Sequence, residues 1–177
     1  MGTEARPELI AFVGLGANLG DPQAMLRWAL GTLGHTPGVR LVQASSLYRS
    51  APVDASGPDF INAVAKIATT LNAMALLHAL QAIEHTAGRQ RPYRNAPRTL
   101  DLDLLLFGGA TIDSPTLTVP HPRMQQRAFV LVPMDELAPA RVGAQALQAV
   151  AAQGVERLSE SSASSGLAVP PVATLST

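Results

Sequence analysis

The chain reads as one α+β domain with a ferredoxin-like βαββαβ core, and three observations predict it. Segments with the two-residue period of strands alternate with segments of helical period, in the order strand, helix, strand, strand, helix, strand. Glycine, proline, asparagine and serine punctuate the junctions. The 177 residues, 47% hydrophobic and 15% charged, hold enough apolar material for a single sizeable core.

The elements follow in order. Residues 9–16 are a short apolar run ending in Gly14-Leu15-Gly16, which reads as a buried strand. Asp21 and Pro22 then open a helix, as N-cap and first helical residue, with an apolar stripe of Met25, Leu26, Ala29, Leu30 and Leu33. After a stop at residues 34–38, residues 39–48 read as a second strand and residues 50–58, with two prolines and a glycine, as a loop. Residues 60–70 are rich in alternating apolar positions and form the third strand. Asn72 caps a second helix bearing Leu76, Leu77, Leu80 and Ile83, which Gly88 closes. An arginine-rich loop, 89–97, leads into the fourth strand, 98–107. Two crossovers of this kind set both helices on one face of an antiparallel sheet. Beyond it, 117–119 reads as a short edge strand, 121–137 as helical pieces interrupted by Pro133, and 145–153 as a small helix, additions that complete an α-β-α sandwich. The expected organisation is an N-terminal extension (1–8), one domain (9–158) and a Ser/Ala/Pro-rich tail (159–177), expected to be disordered.

Composition narrows the function. Thirteen basic residues balance thirteen acidic ones, so no global field favours nucleic acid or an anionic membrane. No apolar run approaches the length of a membrane span, and the N-terminus lacks a signal-peptide core, so a cytoplasmic protein is expected. The absence of cysteine removes disulfides, thiolate nucleophiles and zinc-thiolate sites. Lys66 is the only lysine, which argues against P-loop and Schiff-base chemistry.

The strongest chemical signal is Arg98-Thr99-Leu100-Asp101-Leu102-Asp103-Leu104. Residues two apart on a strand share a face, so Asp101 and Asp103 point one way and the leucines the other. Adjacent carboxylates repel, and something positive must neutralise them. Pairing with an arginine is one reading. The other is a hard cation, with magnesium fitting best because the donors are oxygens and substrate phosphates can complete its shell. Arg89, Arg91, Arg94 and Arg98 crowd the same junction, with Arg127 further on. They could be a solvated surface loop, but guanidinium forks beside a carboxylate pair are also the parts of a polyphosphate-transfer site. Phe60 and Asn62 share a face of the third strand. Phe60 suits core packing or the stacking of a heterocycle, and Asn62 suits its amide edge. His121, between two prolines, could contact phosphate or stay solvated. Gly14-Leu15-Gly16-Ala17-Asn18-Leu19-Gly20 mimics a dinucleotide loop, but its third glycine comes one place late. It reads instead as a strand end where backbone lies close to a ligand.

These stretches, with Ser45-Ser46-Leu47-Tyr48-Arg49-Ser50, Asp59-Phe60-Ile61-Asn62-Ala63 and Leu117-Thr118-Val119-Pro120-His121, resemble the 6-hydroxymethyl-7,8-dihydropterin pyrophosphokinases of folate biosynthesis over about residues 9–139. The resemblance implies transfer of pyrophosphate from ATP to the pterin hydroxymethyl group, with AMP leaving. It implies two magnesium ions on Asp101 and Asp103, catalytic Arg89, Arg91 and Arg98, and a nucleotide site that also includes Gln81, Glu84, Leu104, Thr118, His121 and Arg127. It implies a pterin pocket of Gly16, Ser50, Ala51, Val53, Phe60, Asn62 and Phe129, and a monomer acting on small molecules. The chain departs from the usual family pattern at Asn95, Thr116 and Pro122, and Phe60 stands where a tyrosine is common. Two other classes compete. A ligand sensor of similar fold would gain nothing from paired carboxylates on a central strand. An RNA-binding sheet would need more than 4% aromatics and a basic balance.

Overall fold

The computed structural model describes residues 6–52, 57–88 and 100–159. Strand β1 (Leu9–Ala17) leads to helix α1 (Pro22–Gly34), whose first turn is closed by the Asp21 carboxylate accepting from the Ala24 N–H at 3.1 Å. Two short strands follow, β2 (Val39–Ala44) and β3 (Tyr48–Ser50), then the long β4 (Phe60–Thr69). Asn72 caps α2 (Ala73–Gly88) by accepting from the Ala75 N–H at 2.8 Å. The fourth strand of the core is β5 (Asp101–Phe107). A two-stranded ribbon of β6 (Ile112–Asp113) and β7 (Thr118–Val119) precedes helices α3 (Ala128–Leu137), α4 (Pro139–Val142) and α5 (Ala144–Ala149), and β8 (Val155–Arg157) ends the described chain.

The main sheet is antiparallel and runs β5-β1-β4-β3-β8, with β2 pairing β4 beside β3. Odd-numbered residues of β1 and β4, from Ala11 to Ala17 and from Ile61 to Ile67, join Leu102 and Leu104 against α1 and α2. That core contains Leu26, Leu33, Leu76 and Leu80, all fully buried. The other face carries Phe12, Val64 and Leu105, covered by Val130, Leu131 and Met134 of α3. The chain is therefore α+β with helices on both faces of one sheet.

Four details depart from the sequence reading. The expected second strand, 39–48, is broken: its register shifts between Leu41 and Gln43, and Ser45 takes over a ladder position by accepting from the Val64 N–H through Oγ at 2.9 Å. Pro133 does not interrupt α3, because it lies in the second turn of a short helix, where only one backbone bond is forfeited. Residues 118–119 pair with β6 rather than edging the main sheet. The expected helix at 145–153 stops at Ala149, and the three residues of β8, too short to show a period, extend the sheet beside β3.

Candidate active site

A cavity of about 510 Å³ opens on the α3 face of the sheet, where the strands run past the end of the helix. Its floor is set by register. Gly14 lies opposite Asp103, and Gly16 lies between Asp101 on β5 and Asn62 on β4. Even-numbered positions of β1 face this way, and at these two there is no side chain. A Cβ on Gly16 would come within 3.4 Å of Asn62 Oδ1, and one on Gly14 would touch the Leu105 methyls at 3.5 Å. Glycine thus keeps the middle of the floor open while strands on both sides project polar groups into the space.

Asp101 and Asp103 project from β5 into one end of the cavity. Leu102 and Leu104, expected on their far side, are buried against α1 and α2 as the strand period requires. Across from the carboxylates stand His121, Arg123 and Arg127, on the segment that links β7 to α3. The backbone fixes His121: its N–H donates to the Leu105 carbonyl at 3.0 Å, and its Nδ1 accepts the Arg123 N–H at 3.2 Å. The ring proton therefore sits on Nε2, away from that bond. Burial lowers the His121 pKa below its ordinary value. The Asp103 charge works against this, and Arg127 and Arg123 add to it. At neutral pH the ring is a neutral donor.

The other end of the cavity suits a flat, polar-edged molecule. Phe60 and Phe129 line it from β4 and α3. Asn62, two residues from Phe60 on the same face of β4 and only 3% exposed, also lines the cavity, and its Nδ2 donates to Ser50 Oγ at 2.8 Å. That bond orients the amide. Arg127 places its guanidinium 5.4 Å from the Phe129 ring centroid, so a cation stands at the boundary between the two ends.

The cavity brings together Gly16, Ser50, Ala51, Phe60, Asn62, Asp101, Asp103, His121, Arg127 and Phe129 from the expected set. Gln81, Glu84, Leu104 and Thr118 lie outside its described lining. Glu84 accepts the Leu102 N–H at 3.3 Å, and Leu104 is buried in the core. Val53 and Arg89, Arg91, Arg94 and Arg98 fall outside the described residues. Arg123 was not singled out as a site residue from sequence; its position two residues after His121 was the available signal. Among the described residues no three His, Asp or Glu side chains gather as a metal-binding group. Two carboxylates on one face nonetheless fit a hard cation that takes its remaining ligands from phosphate and water.

A second polar cluster, invisible in the sequence, frames the site. Glu136 near the end of α3 accepts from the Ser46 N–H and hydroxyl and, at 2.6 Å, from the Tyr48 hydroxyl, with Arg157 3.6 Å away. It fastens the break between β2 and β3 to α3, two residues before Ser50.

The comparisons with known proteins agree with this geometry. The family model for 7,8-dihydro-6-hydroxymethylpterin-pyrophosphokinase (HPPK) matches residues 12–139. The chain belongs to this family. It is 47% identical over 154 residues to a 2-amino-4-hydroxy-6-hydroxymethyldihydropteridine pyrophosphokinase of Pseudomonas aeruginosa, a match that covers 83% of this chain and 95% of the relative. An enzyme of the same name from Haemophilus influenzae is 44% identical, with 73% of this chain and 82% of the relative covered. Among solved structures, the HPPK-DHPS of Plasmodium falciparum with pterin and p-hydroxybenzoate superposes with a TM-score of 0.62 at 15% identity, over 77% of this chain. The chain spans 41% of that longer protein, and the likeness speaks for the fold. As an HPPK, the chain is a pyrophosphokinase. Among its described residues no helix is long and apolar enough to cross a membrane.

Proposed function

We propose that this HPPK transfers the terminal pyrophosphoryl group of ATP to the hydroxymethyl oxygen of 6-hydroxymethyl-7,8-dihydropterin. The pterin oxygen bonds to the β-phosphorus, the bond from that phosphorus to the α–β bridging oxygen breaks, and AMP leaves with that oxygen. The observation that carries the reading is one cavity that joins carboxylates and cations with an oriented amide and two phenyl rings. The relatives' names supply the substrate class.

Each end has a task. Asn62 offers Oδ1 to the N–H edge of the pterin while Ser50 holds its Nδ2, and Phe60 and Phe129 flank the ring plane. Asp101 and Asp103 would hold magnesium, two ions by family resemblance, which when bound neutralises phosphate charge and polarises the acceptor hydroxyl. Arg127 and His121 Nε2–H reach towards phosphate oxygens, and Arg89, Arg91 and Arg98 complete the clamp. Gln81, Glu84 and Thr118 would meet the nucleoside; the Leu104 side chain, buried in the α1/α2 core, leaves only its backbone for that role. Within this reading the enzyme works as a cytoplasmic monomer.

The test is product identity. Protein, ATP, magnesium and the reduced hydroxymethylpterin are mixed and the nucleotide product is resolved. AMP is expected. ADP would indicate an ordinary kinase, and unchanged ATP a sensor.

A further inference from the structure

Arg127 opens α3 without a side-chain cap of its own. The first amides of a helix have no partner within it, and the residue at the N-cap normally supplies one. Here the cap comes from 25 residues away. Ala128 N–H donates to Gln153 Oε1 at 3.0 Å, and Gln153 Nε2 donates to the Gln126 carbonyl at 2.9 Å. One carboxamide therefore grips the peptide groups on both sides of Arg127. The Arg127 carbonyl is held in turn by the Val130 and Leu131 N–H groups at 3.1 and 3.0 Å. The arginine backbone is fixed at φ −123° and ψ 109°, and its guanidinium stands over Phe129 at the cavity wall.

Gln153 itself lines no part of the cavity and lies beyond the 12–139 stretch that the family model matches. Its own N–H donates to the Val150 carbonyl at 3.0 Å, and the Val150 side chain is buried in the α3 core, which anchors the turn. Immediately afterwards β8 pairs with β3, setting Val155 opposite Ser50, the residue that orients Asn62. The segment thus ties the cation side of the cavity to its amide side.

We propose that Gln153 is a positioning residue for Arg127, setting the direction in which the guanidinium meets the triphosphate. The inference rests on Arg127 being a phosphate-binding group, as in the function proposed above. An exposed amide with two hydrogen bonds adds only modestly to global folding, so its larger effect falls on nucleotide affinity rather than on melting temperature.

The experiment measures binding of α,β-methylene ATP with magnesium, binding of the pterin, and thermal melting for Gln153→Ala, Gln153→Glu, Arg127→Ala and the Gln153→Ala/Arg127→Ala double variant. Gln153→Ala should weaken nucleotide binding roughly tenfold, with pterin affinity and melting temperature near those of the parent. Gln153→Glu keeps the acceptor for Ala128 N–H at a helix N-terminus but loses the donor to Gln126, so it should melt normally and still bind nucleotide weakly. Full recovery of nucleotide binding in Gln153→Glu would reduce the residue to a helix cap and overturn the proposal. In the double variant Gln153→Ala should add nothing to the loss that Arg127→Ala already causes. Additive losses would show that Gln153 does not act through Arg127. If Arg127→Ala binds nucleotide normally, the phosphate role of Arg127 falls and this inference with it. If Arg127→Ala is weak and Gln153→Ala is normal, only the inference falls.

Discussion

The two faces of the sheet are built from the same strands and do opposite things. On the α1/α2 face, β1 from Ala11 to Ala17 and β4 from Ile61 to Ile67 present only Ala, Val, Leu and Ile, packed with the buried residues of two helices. On the α3 face, the same strands present Phe12 and Val64 at one end, under the helix, and Gly14, Gly16 and Asn62 at the other, beyond it. A sheet face that is only half covered yields a cavity whose floor is rigid because its reverse side is fully packed. Precise placement of Asp101, Asp103 and Asn62 therefore depends on leucines such as Leu26, Leu33, Leu76 and Leu80 that line no part of the cavity.

If this division is right, damage to the two faces should separate activity from stability. The largest effect belongs to the carboxylates. Asp103→Ala and Asp101→Ala should each lower turnover on the order of 10³-fold, read as AMP release, with melting temperature nearly unchanged. A variant with near-normal turnover would break the assignment of this face to chemistry. The reverse case is Leu26→Ala in the covered face. It should cost about 2–5 kcal/mol in urea unfolding while leaving both KM values at their parental levels in the folded enzyme. Gly16→Ala sharpens the comparison within the cavity, since its methyl group would occupy cavity space beside Asn62 Oδ1, 3.4 Å away. The KM for pterin should rise about tenfold and the KM for ATP should hold.

The smallest effect concerns the latch between α3 and the β2–β3 break. Burial would raise the Glu136 pKa, but the hydrogen bonds from Tyr48 and Ser46 and the Arg157 charge outweigh it, and the carboxyl titrates below the ordinary range. A lowered folded value means that the latch contributes fully above about pH 4.3, where an unfolded glutamate is ionised, and loses its contribution as pH falls through the folded value. Tyr48 mirrors it. Burial first, then its bond to Glu136, push the phenol up to about 12. Its contribution is complete below about pH 10 and fades as pH climbs towards that folded value. Glu136→Gln should therefore destabilise the protein by about 1–2 kcal/mol at pH 7. The difference from the parent should shrink in melts run below pH 4. A constant difference across that range would show that ionisation of Glu136 is not what holds the latch.

Much of this was legible in the residues themselves. A continuous apolar run marked β1, period-two patterning marked β4 and β5, and Asp21-Pro22 and Asn72 marked both helix starts, because each signal lies within a few residues of the backbone it governs. Asp101 and Asp103 were visible as a pair for the same reason. The split at Ser45 and the strand at Val155–Arg157 were not, since each depends on a partner some twenty to a hundred residues away; nor was the passage of α3 through Pro133, where a proline reads as a break. Glu136 and Gln153 carried no signal at all, as an isolated polar residue in a C-terminal segment resembles any other.

The sequence by itself determined which residues share a face of each strand and helix, and with that the composition of both cores and of the carboxylate pair. Only the tertiary structure decided that α3 covers half of one face, that the exposed half becomes a two-ended cavity, and which distant side chains fasten its walls. The physical reason is range. Periodicity and capping are local consequences of backbone geometry, whereas a cavity is the space left by packing, which no single segment encodes.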